Sequence, residues 1–272
     1  MMLVKVPLEN GLGHTVGCRK GGNAIIATLD EIWTNEQGKE IDRAVLDLEE
    51  IHLDNNNLEE AGKLIYENAF ETIESQDKTI FLGGDHSMSF PIGKAFLDVC
   101  KEENKKGKNS EPFLIVFDSH PDLMAPGKEP NHEEWLRALV EYGFPAENII
   151  LIGLRNSDLT ELDFIKKNKI RVYNMASLMD IENICDVVME QANKKQIYLS
   201  IDIDSVDPRF APGTGYIEPG GMTSRELLYF IQRINLIKTL RVVDIVEINP
   251  DKDKKYDNMT IKLGAKILAE FL

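Results

Sequence analysis

The run FLIVFDSHPD, Phe113 to Asp122, decides the fold. Five apolar residues, with β-branched Ile115 and Val116 among them, stop abruptly at Asp-Ser-His-Pro-Asp. A short apolar run of this kind reads as a strand buried on both faces. Four more follow the same rule: TIFL (Thr79–Leu82), IILI (Ile149–Ile152), IYLSIDI (Ile197–Ile203) and VVDIVEI (Val242–Ile248). Helical patterns alternate with them, over Leu58–Ser75, Pro91–Glu103, His132–Tyr142, Leu159–Asn168, Ile181–Asn193, Ser224–Asn235 and Met259–Phe271. Thr223, with Glu226 three residues on, forms a capping box before one of these helices. Strands alternating with helices imply parallel pairing through right-handed crossovers. The expectation is one α/β domain over residues 1–272, three layers (αβα) around a central, mostly parallel sheet. The polar stretches Lys101–Glu111 and Asp251–Asp257 read as loops within that domain, because the alternation continues on both sides of each.

In such sheets ligands bind beyond the carboxyl ends of the strands. Three strand ends carry unusual residues. Phe117 is followed by Asp118, His120 and Asp122, and the side-chain period of two points Asp118 and His120 the same way while the chain stays extended. Asp122 joins them if the chain bends back. Asp202 and Asp204 interrupt the Ile197–Ile203 run, and two aspartates at a buried strand end repel unless a cation compensates. The Thr79–Leu82 run leads to Gly83-Gly84-Asp85-His86, where paired glycines allow a tight turn that brings His86 to the sheet's mouth. Taken singly, each piece is also what a capped loop or a hydrogen-bonded histidine looks like. Together they offer two histidines and four aspartates and no thiolate, a donor set suited to borderline or hard divalent ions such as Mn²⁺. Six donors fit two ions sharing aspartates better than one, and a two-metal site implies metal-assisted hydrolysis.

Lys plus Arg number 31 and Asp plus Glu 46, a net charge of −15. No basic footprint for nucleic acid is present, and the acidity suits attraction of cations. No apolar run reaches the roughly 18–20 residues of a membrane span. Met1–Asn10 lacks the order of a signal peptide. Three scattered cysteines, Cys18, Cys100 and Cys185, read as buried thiols of a reducing cytoplasm.

GGDHS (Gly83–Ser87), DSHPD (Asp118–Asp122), SIDIDSVDP (Ser200–Pro208) with APGTG (Ala211–Gly215), and DIVEINP (Asp244–Pro250) follow one another in that order. In these motifs and their spacing the chain resembles the ureohydrolase (arginase/agmatinase) family, from near Leu12–Ala24 to the last helix. The resemblance implies an arginase-like fold, two Mn²⁺ per subunit (with Co²⁺, Ni²⁺ or Zn²⁺ as other divalent ions), hydrolysis of a small guanidino substrate to urea and an amine, and a cytoplasmic homo-oligomer, trimer or hexamer. It implies one ion on His86, Asp118, Asp122 and Asp202, and the other on His120, Asp118, Asp202 and Asp204, with Asp122 also orienting the nucleophile. Glu247 would take the guanidinium through paired hydrogen bonds. His132, in PNHEEW, matches the family's proton-shuttling loop histidine, with a solvent-facing histidine at a helix start as the alternative. Asp244, in the same strand as Glu247, could face the same way or be structural.

The chain also departs from the family. Tyr216 stands where a small threonine near the guanidinium is expected, which alters the pocket. Ser119 replaces the usual alanine. The loop Met124–Asn131 lacks the Ser-Gly-Asn with which arginases hold an amino-acid carboxylate. Asp158 matches a position contacting the α-amino group in arginases, and is equally the N-cap of the helix from Leu159. Lys128 could meet a carboxylate or simply be solvated. The expected activity is agmatinase-like. Arginase or formiminoglutamase activity, deacylation with a single Zn²⁺, and an inactive metal-binding relative are the alternatives. His14 and His52, outside the motifs, read as surface or loop residues.

Overall fold

A computed structural model of the chain describes residues 1–43 and 46–272. Its sheet, among the described residues, has eight strands: β1 (Met2–Val6), β2 (Asp47–Glu50), β3 (Thr79–Gly83), β4 (Pro112–Phe117), β5 (Ile149–Ile152), β6 (Arg171–Tyr173), β7 (Gln196–Asp202) and β8 (Leu240–Val246). They lie in the order β2-β1-β3-β8-β7-β4-β5-β6. Every pairing is parallel, where the sequence predicted mostly parallel.

Strand β4 shows why its run is apolar throughout. Phe113, Ile115 and Phe117 enter one hydrophobic core and Leu114 and Val116 the other, on opposite faces of the sheet. Helices α1 (Gly21–Leu29), α6 (Ile181–Ala192), α7 (Ser224–Ile234) and α9 (Met259–Phe271) cover the first face. Helices α2 (Leu58–Ser75), α3 (Ser89–Lys105), α4 (Trp135–Tyr142) and α5 (Leu159–Asn168) cover the second. The result is a three-layer α/β domain. The capping boxes of α7 (Thr223 with Glu226) and α5 (Asp158 with Glu161) are both formed.

Strands β1, β2 and β6 and helix α1 were not anticipated. β2 and β6 are the sheet's two edges, and their residues, DLEE and RVY, carry no apolar run because one side of each meets solvent. The stretch from Lys101 is helical through Lys105 before its loop begins, and 251–257 is largely wound into a short helix α8 (Pro250–Asp253) and a 3₁₀ turn. All three cysteines are buried and free. Among the described residues no helix is long and apolar enough to cross a membrane.

The order places β3, β8, β7 and β4 side by side at the centre, so their carboxyl ends form one continuous rim. The chain reaches β4 from β3 only by passing over β7 and β8, which creates the kind of crevice where α/β sheets hold ligands.

Candidate metal centre and substrate pocket

All six expected metal-ligating side chains meet on that rim, delivered by turns rather than by strand pleat. β4 stops at Phe117 and β7 at Asp202, so Asp118 and His120 lie beyond the pleat, as does Asp204. Instead each first aspartate bonds the backbone two residues on: His120 N–H donates to Asp118 Oδ1 (2.7 Å) and Asp204 N–H to Asp202 Oδ1 (2.8 Å). Such Asx turns curl the chain and bring residues i and i+2 together. Asp122 does bend back, in a left-handed conformation (φ 53°), and Glu247, one residue past β8, does the same (φ 64°). Non-glycine residues rarely hold that conformation, and here both serve the site.

Neither Gly83 nor Gly84 has a positive φ. Gly83 belongs to β3, and Gly84 is there for space: a Cβ on it would lie 1.7 Å from the Leu8 carbonyl oxygen. That close approach lets Gly84 N–H and Asp85 N–H pair with Val6 and Leu8 carbonyls and sets His86 over the rim.

His86 Nδ1 lies 3.1 Å from Asp118 Oδ2, 3.0 Å from Asp122 Oδ2 and 3.3 Å from Asp202 Oδ2. His120 Nδ1 lies 3.1 Å from Asp204 Oδ2 and 3.7 Å from Asp118 Oδ1. Five of the six form two overlapping groups, His86–Asp118–Asp122 and Asp118–His120–Asp204, with Asp118 in both, and Asp202 adjoins the first through His86. His86 Nδ1 and Asp118 Oδ2 are buried, close together, and without a hydrogen-bond partner, because their approach is not aligned for one. Burial, then repulsion from Asp122 and Asp204, pushes Asp118 well above the usual carboxylate range, and burial, then Asp204 and Asp118, does the same to Asp202. Burial opposes charge on His120, yet Asp204 lifts it to about 11 and is itself held at about 2 despite its own burial. Clustered donors with unpartnered atoms and strained proton affinities are what a divalent cation relieves. The residues therefore fit a metal centre. Ser119 joins it through its backbone N–H on Asp204 Oδ1 (3.0 Å) and its hydroxyl 2.9 Å from His120 Nδ1.

A cavity of about 250 Å³ opens over the cluster. Glu247 lies in its wall, its Oε1 accepting from His86 N–H (2.9 Å) and its Oε2 facing Cys18 Sγ (3.5 Å). His132 is buried, three residues before α4 begins, so the solvent-facing reading is wrong. Its Nδ1 lies 3.6 Å from Glu247 Oε1. Burial disfavours its charge, but Glu247 beside it raises it to about 9. Tyr216 also lines the cavity, its ring 5.1 Å from both the His132 and His14 rings and 6.1 Å from that of His120. His14 is an exposed loop residue, as expected, yet leans on this wall; His52 is exposed and away from it. Asp158 is the N-cap of α5, and it also lines the cavity. Lys128 is exposed and paired with Glu59 (2.6 Å).

Asp244 does not face with Glu247. It points into the core, fully buried, and accepts from Ser89 Oγ (2.6 Å), Ser200 Oγ (2.7 Å), Ile201 N–H (3.3 Å) and the Tyr198 hydroxyl. Sequence reasoning also missed Trp135, whose indole N–H donates to Asp122 Oδ2 (2.8 Å) while its ring lies 4.6 Å from that of His86. It missed Asp85 too, which holds the loop over the site by accepting from Asn10 N–H (2.7 Å) and Thr15 Oγ1 (3.1 Å). A buried Trp reads as core from sequence alone; only its place in the motif-rich His132–Trp135 stretch hinted at more.

The arginase family model matches residues 1–272. Among curated proteins, the chain is 31% identical over 217 residues to a mitochondrial arginase of Medicago truncatula, covering 79% of this chain and 59% of that protein. It is 27% identical over 279 aligned positions to an agmatinase of Bacillus subtilis, covering all of this chain and 90% of that one. Among solved structures, a formimidoylglutamase of Bacillus subtilis superposes with a TM-score of 0.88 at 22% identity, over 99% of this chain and 85% of that one, a likeness of fold. The chain spans about three-fifths of the length of the plant arginases it matches. With the family model matched from end to end and the rim of four central strands carrying the family's motifs in place, the chain belongs to the arginase family.

Proposed function

We propose that this protein is a dinuclear-metal hydrolase that cleaves the guanidino C–N bond of an agmatine-type substrate, releasing urea and an amine. His86, Asp118, Asp122 and Asp202 would hold one ion, and His120, Asp118, Asp202 and Asp204 the other, with Mn²⁺ the expected metal. Two such ions supply Lewis acidity and a water nucleophile at neutral pH. The chain's own residues do the rest. Glu247 binds the guanidinium and, with Tyr216 beside it, sets its plane against the cluster. Asp122, clamped by the Trp135 indole, accepts a hydrogen bond from the attacking water and so aims it. His132, raised to about 9 by Glu247 against the effect of burial, holds a proton at neutral pH and delivers it to the departing amine.

The observation that carries the choice of substrate is the cavity's lining. It includes seven carboxylates, of Asp122, Glu133, Asp158, Glu161, Asp202, Asp204 and Glu247, and no lysine or arginine. The nearby Arg155 spends its guanidinium on the carbonyls of Gly153, Asp204, Ser205 and Glu218. A substrate ending in a carboxylate, such as arginine or formiminoglutamate, finds no lysine or arginine to pair with, whereas an amine tail meets Glu133 and Asp158 in the same lining. Urea release by the Mn²⁺-loaded protein from agmatine, arginine and formamide release from formiminoglutamate decide it. Agmatine is expected to give the highest kcat/KM. Faster turnover of a carboxylate-bearing substrate would overturn the substrate assignment, and no turnover with two ions bound would make the protein a metal-binding relative.

A further inference from the structure

Asp244 is a fully buried acid that takes no part in the proposed mechanism. Asp244 and Ser200 are register partners on the adjacent strands β8 and β7, both with no exposed surface. Ser200 Oγ lies 2.7 Å from Asp244 Oδ1 and, on its other side, 2.9 Å from His86 Nε2. The direction of this chain follows from counting protons. Ile201 N–H also points at Asp244 Oδ1, while the Ser89 and Tyr198 hydroxyls converge on Oδ2, a donor set for a carboxylate acting purely as acceptor. The single hydroxyl proton of Ser200 therefore goes to Asp244, and Ser200 can only accept from His86. The His86 proton sits on Nε2. Its Nδ1 is left as a lone pair directed at Asp118, Asp122 and Asp202, the buried atom that has no hydrogen-bond partner.

His120 meets the Ser119 hydroxyl at Nδ1 (2.9 Å) but has no such relay behind its Nε2. Its Nε2 faces Glu218 Oε1 at 3.5 Å, beyond a hydrogen bond, and that carboxylate is half-buried and already bonded by Asn156 Nδ2 (2.6 Å). The two histidines are thus held differently, one by a relay sealed in the core and one at the cavity's edge.

We infer that the Asp244–Ser200 pair is a positioning device that fixes His86 in the tautomer able to ligate, and so governs occupancy of the His86 side of the cluster alone. The inference rests on the dinuclear reading. Hydrogen bonds behind a ligating histidine generally change metal affinity by roughly ten- to a hundredfold.

The test is Mn²⁺ titration of EDTA-stripped wild type, Ser200→Ala and Ser200→Thr, with bound metal counted by elemental analysis and the paired state followed by its EPR signature. Melting in EDTA checks that each variant folds. Ser200→Ala is expected to keep one ion per chain at wild-type affinity and to bind the second roughly ten- to a hundredfold more weakly, with the coupled-pair signal replaced by that of an isolated ion. Ser200→Thr, which keeps the hydroxyl, restores the pair. In Zn²⁺-loaded wild type, one histidine is expected to show an exchange-protected Nε2–H by NMR, a readout independent of how Ser200→Ala folds. Two ions at wild-type affinity in Ser200→Ala, or a wild type without that proton, overturns the inference. A wild type that takes up fewer than two ions overturns the dinuclear reading beneath it.

Discussion

Replacing Glu247 with glutamine keeps the side chain's shape and removes one charge. The surroundings dictate how the new amide sits. His86 N–H donates to Oε1 at 2.9 Å, and His132 Nδ1 lies 3.6 Å from the same oxygen. The glutamine carbonyl must take that place, which puts its NH₂ where Oε2 was, beside Cys18 and Gly215. A guanidinium offers only N–H donors, so donor would meet donor. A hydrogen bond to a charged group is worth about 1.5–3 kcal/mol, and leaving a buried charge without its partner costs about 2–5 kcal/mol in comparable pairs. Taking about 3–4 kcal/mol, kcat/KM falls by roughly two to three orders of magnitude. Bound metal stays unchanged, because Glu247 lies outside both donor groups. The assay is urea release from agmatine over a range of concentrations, with elemental analysis on the same sample. A kcat/KM within about threefold of wild type, with both ions in place, would remove Glu247 from the guanidinium site, and loss of an ion would make it a ligand.

Asp202→Ala should abolish turnover and lower metal content, since the residue would serve both ions; full metal loading would refute that role. Trp135→Phe keeps the ring against His86 but deletes the donor to Asp122, and at about 1.5–3 kcal/mol for such a bond it should slow urea release by roughly ten- to a hundredfold; a kcat within about threefold of wild type would refute the clamp. Gly84→Ala puts a methyl against the Leu8 carbonyl at 1.7 Å, and should cost about 3 kcal/mol or more, read as a lower midpoint in urea. His132 is raised from 6.5 to about 9, so its contribution to stability is fully present below pH 6.5 and is lost as pH rises through about 9. In EDTA-treated protein, wild type should outlast His132→Gln in urea at pH 6 by up to about 3 kcal/mol and lose that margin by pH 10; a constant difference across the range would refute the pairing with Glu247.

The central strands were legible because burial on both faces leaves a plain signature. Helices covering them each have one apolar stripe, and Leu58–Ser75, Leu159–Asn168 and Met259–Phe271 are bounded as read. The edges were not. DLEE of β2 pairs along β1 by backbone hydrogen bonds, and its side chains are exposed or half-buried, so nothing in its composition records the pairing. β1 had a signal, in Leu3, Val4 and Val6, weakened by Lys5, whose ammonium reaches Asn23 (2.6 Å) and Glu50 at the edge of the sheet.

The site divides along the same physical line. Its charged residues stand out from sequence because a carboxylate or imidazole directly after a buried strand needs a reason, and a shared cation is an economical one. What could not be read is how each charge is held. Asp118 and His120 were placed by strand periodicity but are placed by an Asx turn; Asp122 and Glu247 occupy left-handed backbone that neither residue type advertises. Asp244 looked like a companion of Glu247, three positions earlier in one motif. The strand's pleat and the turn after Val246 send them to opposite sides of the rim, one to the core and one to the cavity. A carboxylate facing the cavity must stay available to a substrate cation, while one facing the core can be saturated by four donors and left permanently in place, so two acids from a single heptapeptide motif can bind on one side and set a ligand's geometry on the other without competing.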